Sequence, residues 1–220
     1  MKPIDLLYTG TGMCATGAHA AYTTAAGIKC GHERVFGPYG YGKALTKMRK
    51  RSCFRAESSW LAAPYLEEPE LSETLVVHLV RHPARVMEAM SRVTVRSGRY
   101  WVYAMQWCPR LEEFGRSWTG FACRYVAWNR LIERKAANHR RICWKVDGAD
   151  PRDLMRMLRD EYGLALEWDE ENPMFDNRNI NTHGLKRKHK PQYQFSLDQI
   201  YDGEVRWDLE KMAERYGYKL

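Results

Sequence analysis

An apolar run at residues 4–8 opens into Thr9-Gly10-Thr11-Gly12-Met13-Cys14-Ala15-Thr16-Gly17, and an alanine-rich helical pattern follows over 18–26. A strand that passes through a glycine-rich turn straight into a helix is the most constraining feature of the chain. The glycines let successive backbone N–H groups turn toward one point, and the helix N-terminus adds partial positive charge there. The pattern predicts an anion cradle. The segment after the helix, Gly27-Ile28-Lys29-Cys30-Gly31-His32-Glu33, then supplies an acid–base pair.

Two more apolar runs read as strands. Residues 74–80 form a nearly continuous β-branched and leucine run of the kind buried on both faces of a parallel sheet, ending in Arg81-His82-Pro83. Residues 141–146 form a third short strand, and helical patterns are expected over 84–90, 118–137, 152–162 (stopping at Gly163) and about 207–216. The stripe Trp118, Phe121, Tyr125, Trp128 and Leu131 at spacings of three and four reads as core. Alternation of strands and helices predicts a three-layer α/β fold with a mainly parallel sheet and flanking helices. At 220 residues, one domain spanning 1–220 is expected.

The net charge of +8 favours a polyanionic ligand, a nucleic acid or an acidic surface. Two cationic stretches stand out: 41–55, which contains no acid, and Lys186-Arg187-Lys188-His189-Lys190 within an aperiodic segment at 167–194. No apolar stretch reaches the roughly 18–20 residues that cross a bilayer, and no secretory pattern opens the chain, so a cytoplasmic protein without a membrane span is expected. The six cysteines, at 14, 30, 53, 108, 123 and 143, are scattered singly without zinc spacing, which predicts reduced thiols and no metal.

The glycine loop partly satisfies two fingerprints. Gly12 and Gly17 have Walker A spacing, but Ala18 and His19 replace the Lys and Ser/Thr that hold phosphate and magnesium. Gly10, Gly12 and Ala15 fit the dinucleotide pattern with Glu33 near the ribose-binding position, yet Ile28-Lys29-Cys30-Gly31 is a poor second strand. Taken together, the loop, His32-Glu33 and the strand ending in Arg81-His82-Pro83 resemble the sulfotransferase family, which uses 3′-phosphoadenosine 5′-phosphosulfate on a P-loop-containing type of fold. Trp144-Lys145-Val146-Asp147 and Tyr216-Gly217-Tyr218 are weaker echoes of the same family.

That resemblance implies a sulfuryl transfer to a hydroxyl or amine acceptor, small or macromolecular, rather than action on nucleic acid. It makes Gly10, Thr11, Gly12, Met13, Cys14, Ala15, Thr16 and Gly17 the cradle for the donor's 5′ side and Arg81 the ligand of its 3′-phosphate. Glu33 falls on the family's catalytic glutamate, with His32 beside it. Two positions depart from the pattern. The loop's basic residue falls on Met13, for which His19, Arg34 or Lys43 could substitute, and the expected serine falls on Ala89, leaving Ser91 two positions late. Lys186, Arg187 and Lys188 could close over the 3′-phosphate. A basic nucleic-acid-binding protein and a nucleotide-binding relative without catalysis are the alternative readings.

Overall fold

The computed structural model describes residues 4–37, 41–49, 54–93, 98–176 and 195–220. Along the chain come β1 (Leu6–Gly10), α1 (Thr16–Ala25), β2 (Cys30–His32), α2 (Tyr41–Arg49), β3 (Ala56–Ser58), a 3₁₀ helix (Trp60–Tyr65), β4 (Leu75–Val80) and α3 (Pro83–Val93). They are followed by α4 (Gly98–Met105), α5 (Leu111–Phe114), α6 (Trp118–Lys135), β5 (Arg141–Lys145), α7 (Pro151–Asp160) and α8 (Gly203–Arg215).

Among the described residues, five strands form one sheet in the order β2-β3-β1-β4-β5, and every pair is parallel. The α/β expectation holds. β1 and β4 are buried along their full length, which explains their continuous apolar sequence. β2 takes up Cys30 and Gly31 of the segment 28–31 that reads as a poor second strand, and β3 forms where the sequence suggests no strand. Each is three residues long and carries no β-branched side chain, so neither announces itself by propensity, and pairing with neighbours defines both.

Alternation along the strands sends neighbouring side chains to opposite faces of the sheet. Tyr8 Oη meets Thr23 Oγ1 of α1 at 2.7 Å, whereas His78, in register with the next residue Thr9, meets Asn129 Oδ1 of α6 at 2.8 Å. Helices α1 and α6 therefore cover opposite faces, giving three layers. Helix α6 begins at Ser117, whose hydroxyl accepts from the Gly120 N–H at 3.1 Å, and its aromatic stripe is core as expected, with Tyr125 and Trp128 fully buried. Among the described residues, no helix is long and apolar enough to cross a membrane. All described cysteines are free thiols.

Burial holds His78 well below its ordinary range, its pKa moving from 6.5 to about 4, so it folds as the neutral imidazole. Its contribution to stability is present above the unfolded value near 6.5 and is lost as pH falls through about 4. His78→Gln should flatten the acid side of the stability profile between these values by up to about one proton's worth, or about 1.36 kcal/mol per pH unit. Urea titrations of both proteins at several pH values measure this, and parallel profiles would show that His78 does not titrate on unfolding.

Candidate functional site

Because β1 to β5 run parallel, their carboxyl ends share one edge of the sheet, and there the order reverses direction on either side of β1. Open α/β sheets bind ligands at such a position. The 10–17 loop lies on this edge. Its backbone follows an unusual path, with positive φ at Gly12 (80°), Met13 (58°) and Ala15 (59°). Left-handed backbone costs a non-glycine residue on the order of 1–2 kcal/mol, so other contacts must hold it.

Arg81, at the end of β4, supplies one of them by donating from Nη1 to the Met13 carbonyl at 2.9 Å. Its own carbonyl accepts from Tyr125 Oη at 2.9 Å, and its Nε lies 3.6 Å from Asp147, just beyond β5. Asp147 also accepts from the His82 N–H at 2.6 Å and from Arg85 at 2.9 Å, which places a carboxylate at the start of α3. Arg81 thus differs from a cation kept wholly for a ligand, although its side chain remains 31% exposed.

Ala15 is the N-cap of α1, has no capping side chain, and no acid stands in the first turn. Thr16, the first helical residue, is tied to the ends of two other strands: its carbonyl accepts from Ser58 Oγ at 2.7 Å and its hydroxyl lies 3.3 Å from His32 Nε2. The structure therefore brings loop, His32 and Arg81 together.

Glu33 follows β2 in a left-handed conformation (φ 54°), and Tyr100 donates to its Oε2 at 3.3 Å. What makes this turn is Glu57, fully buried in β3. One of its oxygens accepts from the N–H groups of Arg34 (2.7 Å) and Val35 (3.0 Å), while Oε2 has no hydrogen-bond partner. That oxygen occupies the space a side chain at residue 31 would fill, 2.0 Å from a Cβ there, so only glycine fits. Burial, with Glu33 nearby adding like charge, pushes the Glu57 pKa up to about 7 against the pull of its two backbone donors.

Behind the loop lies Arg124 of α6, 5% exposed. Its guanidinium carbon stands 4.4 Å from the centre of the Trp60 ring, and its Nη2 reaches the Thr11 carbonyl at 3.5 Å. Gly12 is pressed against both, since a Cβ there would lie 3.3 Å from Nη2 and 3.5 Å from the indole. Trp60 is fixed in turn by Trp128, which donates to its carbonyl at 3.1 Å.

The remaining sequence candidates fall elsewhere. His19 is buried in α1 with Nδ1 3.0 Å from the Ala15 carbonyl, and burial lowers its pKa to about 4, so it is neutral and cannot replace the loop cation. Arg34 and Lys43 are exposed. Ser91 sits near the end of α3 and donates to the Glu88 carbonyl at 2.8 Å within its own helix. Lys186, Arg187 and Lys188 lie outside the described residues. Sequence reasoning did not single out Glu57, Trp60 or Arg124. The chain matches no family model, no curated protein and no solved structure.

Glu57 makes a pH-dependent contribution. Its folded pKa near 7 exceeds the ordinary 4.5, so its stabilisation is present below about 4.5 and lost as pH rises through 7. Glu57→Gln does not titrate, so its melting temperature relative to wild type should climb between pH 5 and 8, by the equivalent of roughly 3 kcal/mol. A difference independent of pH would mean that Glu57 ionises normally in the fold.

Proposed function

We propose that the chain is a sulfuryl transferase that takes its group from 3′-phosphoadenosine 5′-phosphosulfate and passes it to a hydroxyl or amine. The observation that carries this reading is convergence at one sheet edge. The left-handed 10–17 loop, His32 beside Thr16, Glu33 on its turn and Arg81 against Met13 come from the ends of three strands. Support for the donor class comes from the uncapped, acid-free start of α1, which suits a 5′-phosphate, and from the exposed part of Arg81, which suits a 3′-phosphate.

When bound, the donor supplies an activated sulfuryl group and leaves as adenosine 3′,5′-bisphosphate. In this reading Glu33 takes the proton from the acceptor as the acceptor's oxygen or nitrogen forms its bond to sulfur. The loop N–H groups and the α1 terminus stabilise the charge that gathers on the departing phosphate as its bond to sulfur breaks. Glu57 holds the turn that carries Glu33, and Tyr100 orients the Glu33 carboxylate through Oε2.

Adenosine 3′,5′-bisphosphate should therefore raise the melting temperature more than ATP or NAD does, by the equivalent of about 2.7 kcal/mol at one hundred times its dissociation constant. Equal shifts with all three nucleotides would remove the donor assignment. With an acceptor found by screening with labelled donor, Glu33→Gln should cut turnover by about 10²–10⁴-fold while donor affinity stays unchanged. Near-normal turnover would move the base to another residue, with His32 the first to test.

A further inference from the structure

An arginine buried to 95% without a carboxylate needs an explanation. Among the described residues, no acid forms an ion pair with Arg124, its Nε has no hydrogen-bond partner, and its single bond, to the Thr11 carbonyl, is long at 3.5 Å. Stacking on Trp60 offsets part of the cost of burying a cation, but such a contact is worth a few kcal/mol at most. Desolvating an unpaired guanidinium costs several. Burial lowers the pKa from 12.5 only to about 10, so the group stays charged at neutral pH.

Everything else about this position points to the 10–17 loop. The guanidinium reaches the loop through the Thr11 carbonyl and lies beside Gly12, where a positive φ and an Nη2 only 3.3 Å from the position of a Cβ both disfavour a side chain. Residues 10–17 include no basic side chain of their own, and His19 is neutral. The α1 terminus that the loop enters has neither cap nor acid. A positive site without internal neutralisation thus has two independent parts, one backbone and one side chain.

We propose that Arg124 is the cation of the 10–17 loop: it neutralises, from beside Gly12, the phosphate or sulfuryl oxygens that the loop cradles, a charge that no side chain of residues 10–17 supplies. The inference rests on reading the loop as an oxyanion cradle and not on the identity of the nucleotide. It gives the buried charge its counter-ion, and it explains why a helix otherwise built as core carries an arginine on its buried face.

The test compares wild type with Arg124→Met, which has similar length and no charge. Sodium sulfate is titrated against sodium chloride at matched ionic strength, and adenosine 3′,5′-bisphosphate is titrated separately, with melting temperature and calorimetric heat as readouts. Without anion, Arg124→Met should be at least as stable as wild type, because an unpaired buried charge has been removed. Its affinity for whichever anion wild type binds saturably should fall about ten- to a hundred-fold. The non-specific stabilisation that sulfate gives any protein is common to both proteins and cancels in the comparison. Unchanged affinity in the variant would overturn the proposal and leave the proposed function standing. A wild type that binds sulfate but not the bisphosphate, with the variant impaired, would keep Arg124 and discard the nucleotide reading. Absence of saturable binding of both anions by wild type would overturn both. Arg124→Gln, which keeps a donor toward Thr11, repeats the comparison if the methionine variant does not fold. Failure of both neutral variants to fold would mark Arg124 as a structural residue and overturn the proposal.

Discussion

The hydrogen bond from Arg81 to the Met13 carbonyl joins the ends of two adjacent strands, and the shape of the loop depends on it. A loop with left-handed Met13 and Ala15 does not hold that path from local preference, because each residue alone favours φ below zero. Arg81 fixes one carbonyl, and Asp147 lies close enough to hold the guanidinium that does so. Ser58 fixes the carbonyl of Thr16 on the other side. The loop is stretched between β3 and β4, so its conformation belongs to the sheet and not to its own sequence.

The turn carrying Glu33 follows the same logic with different atoms. A carboxylate buried in β3 satisfies two backbone N–H groups of the neighbouring turn, and Gly31 leaves room for its second oxygen. The cost is a carboxyl group that ionises only near neutrality. Where the loop is held by a cation, the turn is held by an acid. The two are linked by aromatic contacts, Arg124 over Trp60 and Trp60 beside Tyr100, which donates to Glu33.

Much of the layer structure was legible from the sequence because β1, β4 and the long helix α6 bury whole faces, and burial writes continuous or periodic apolar patterns. The glycine loop and the strand ending at Arg81 were legible for the same reason. β2 and β3 were not, since three-residue strands containing Gly31 and Glu57 owe their existence to a partner elsewhere in the chain. Arg124 was hidden inside a stripe read as core. The available signal was its position: it lies three residues after Phe121 and four before Trp128, where a polar helix face would not place it, yet it is charged. An ionic residue at an apolar-stripe position is a cue that a count of aromatics passes over.

Placing β1 at the centre of the sheet has a consequence for how the chain reaches this structure. Leu6 pairs with Ala56 on one edge and Leu75 on the other, both far along the chain, so an apolar strand is synthesised well before either neighbour exists to cover it. Until then it presents two unpaired edges, which is the condition under which nascent chains associate with one another. Long-range parallel pairing also closes slowly. Production at low temperature or with a holdase chaperone should therefore govern the yield of folded protein more than the stability of the finished sheet does.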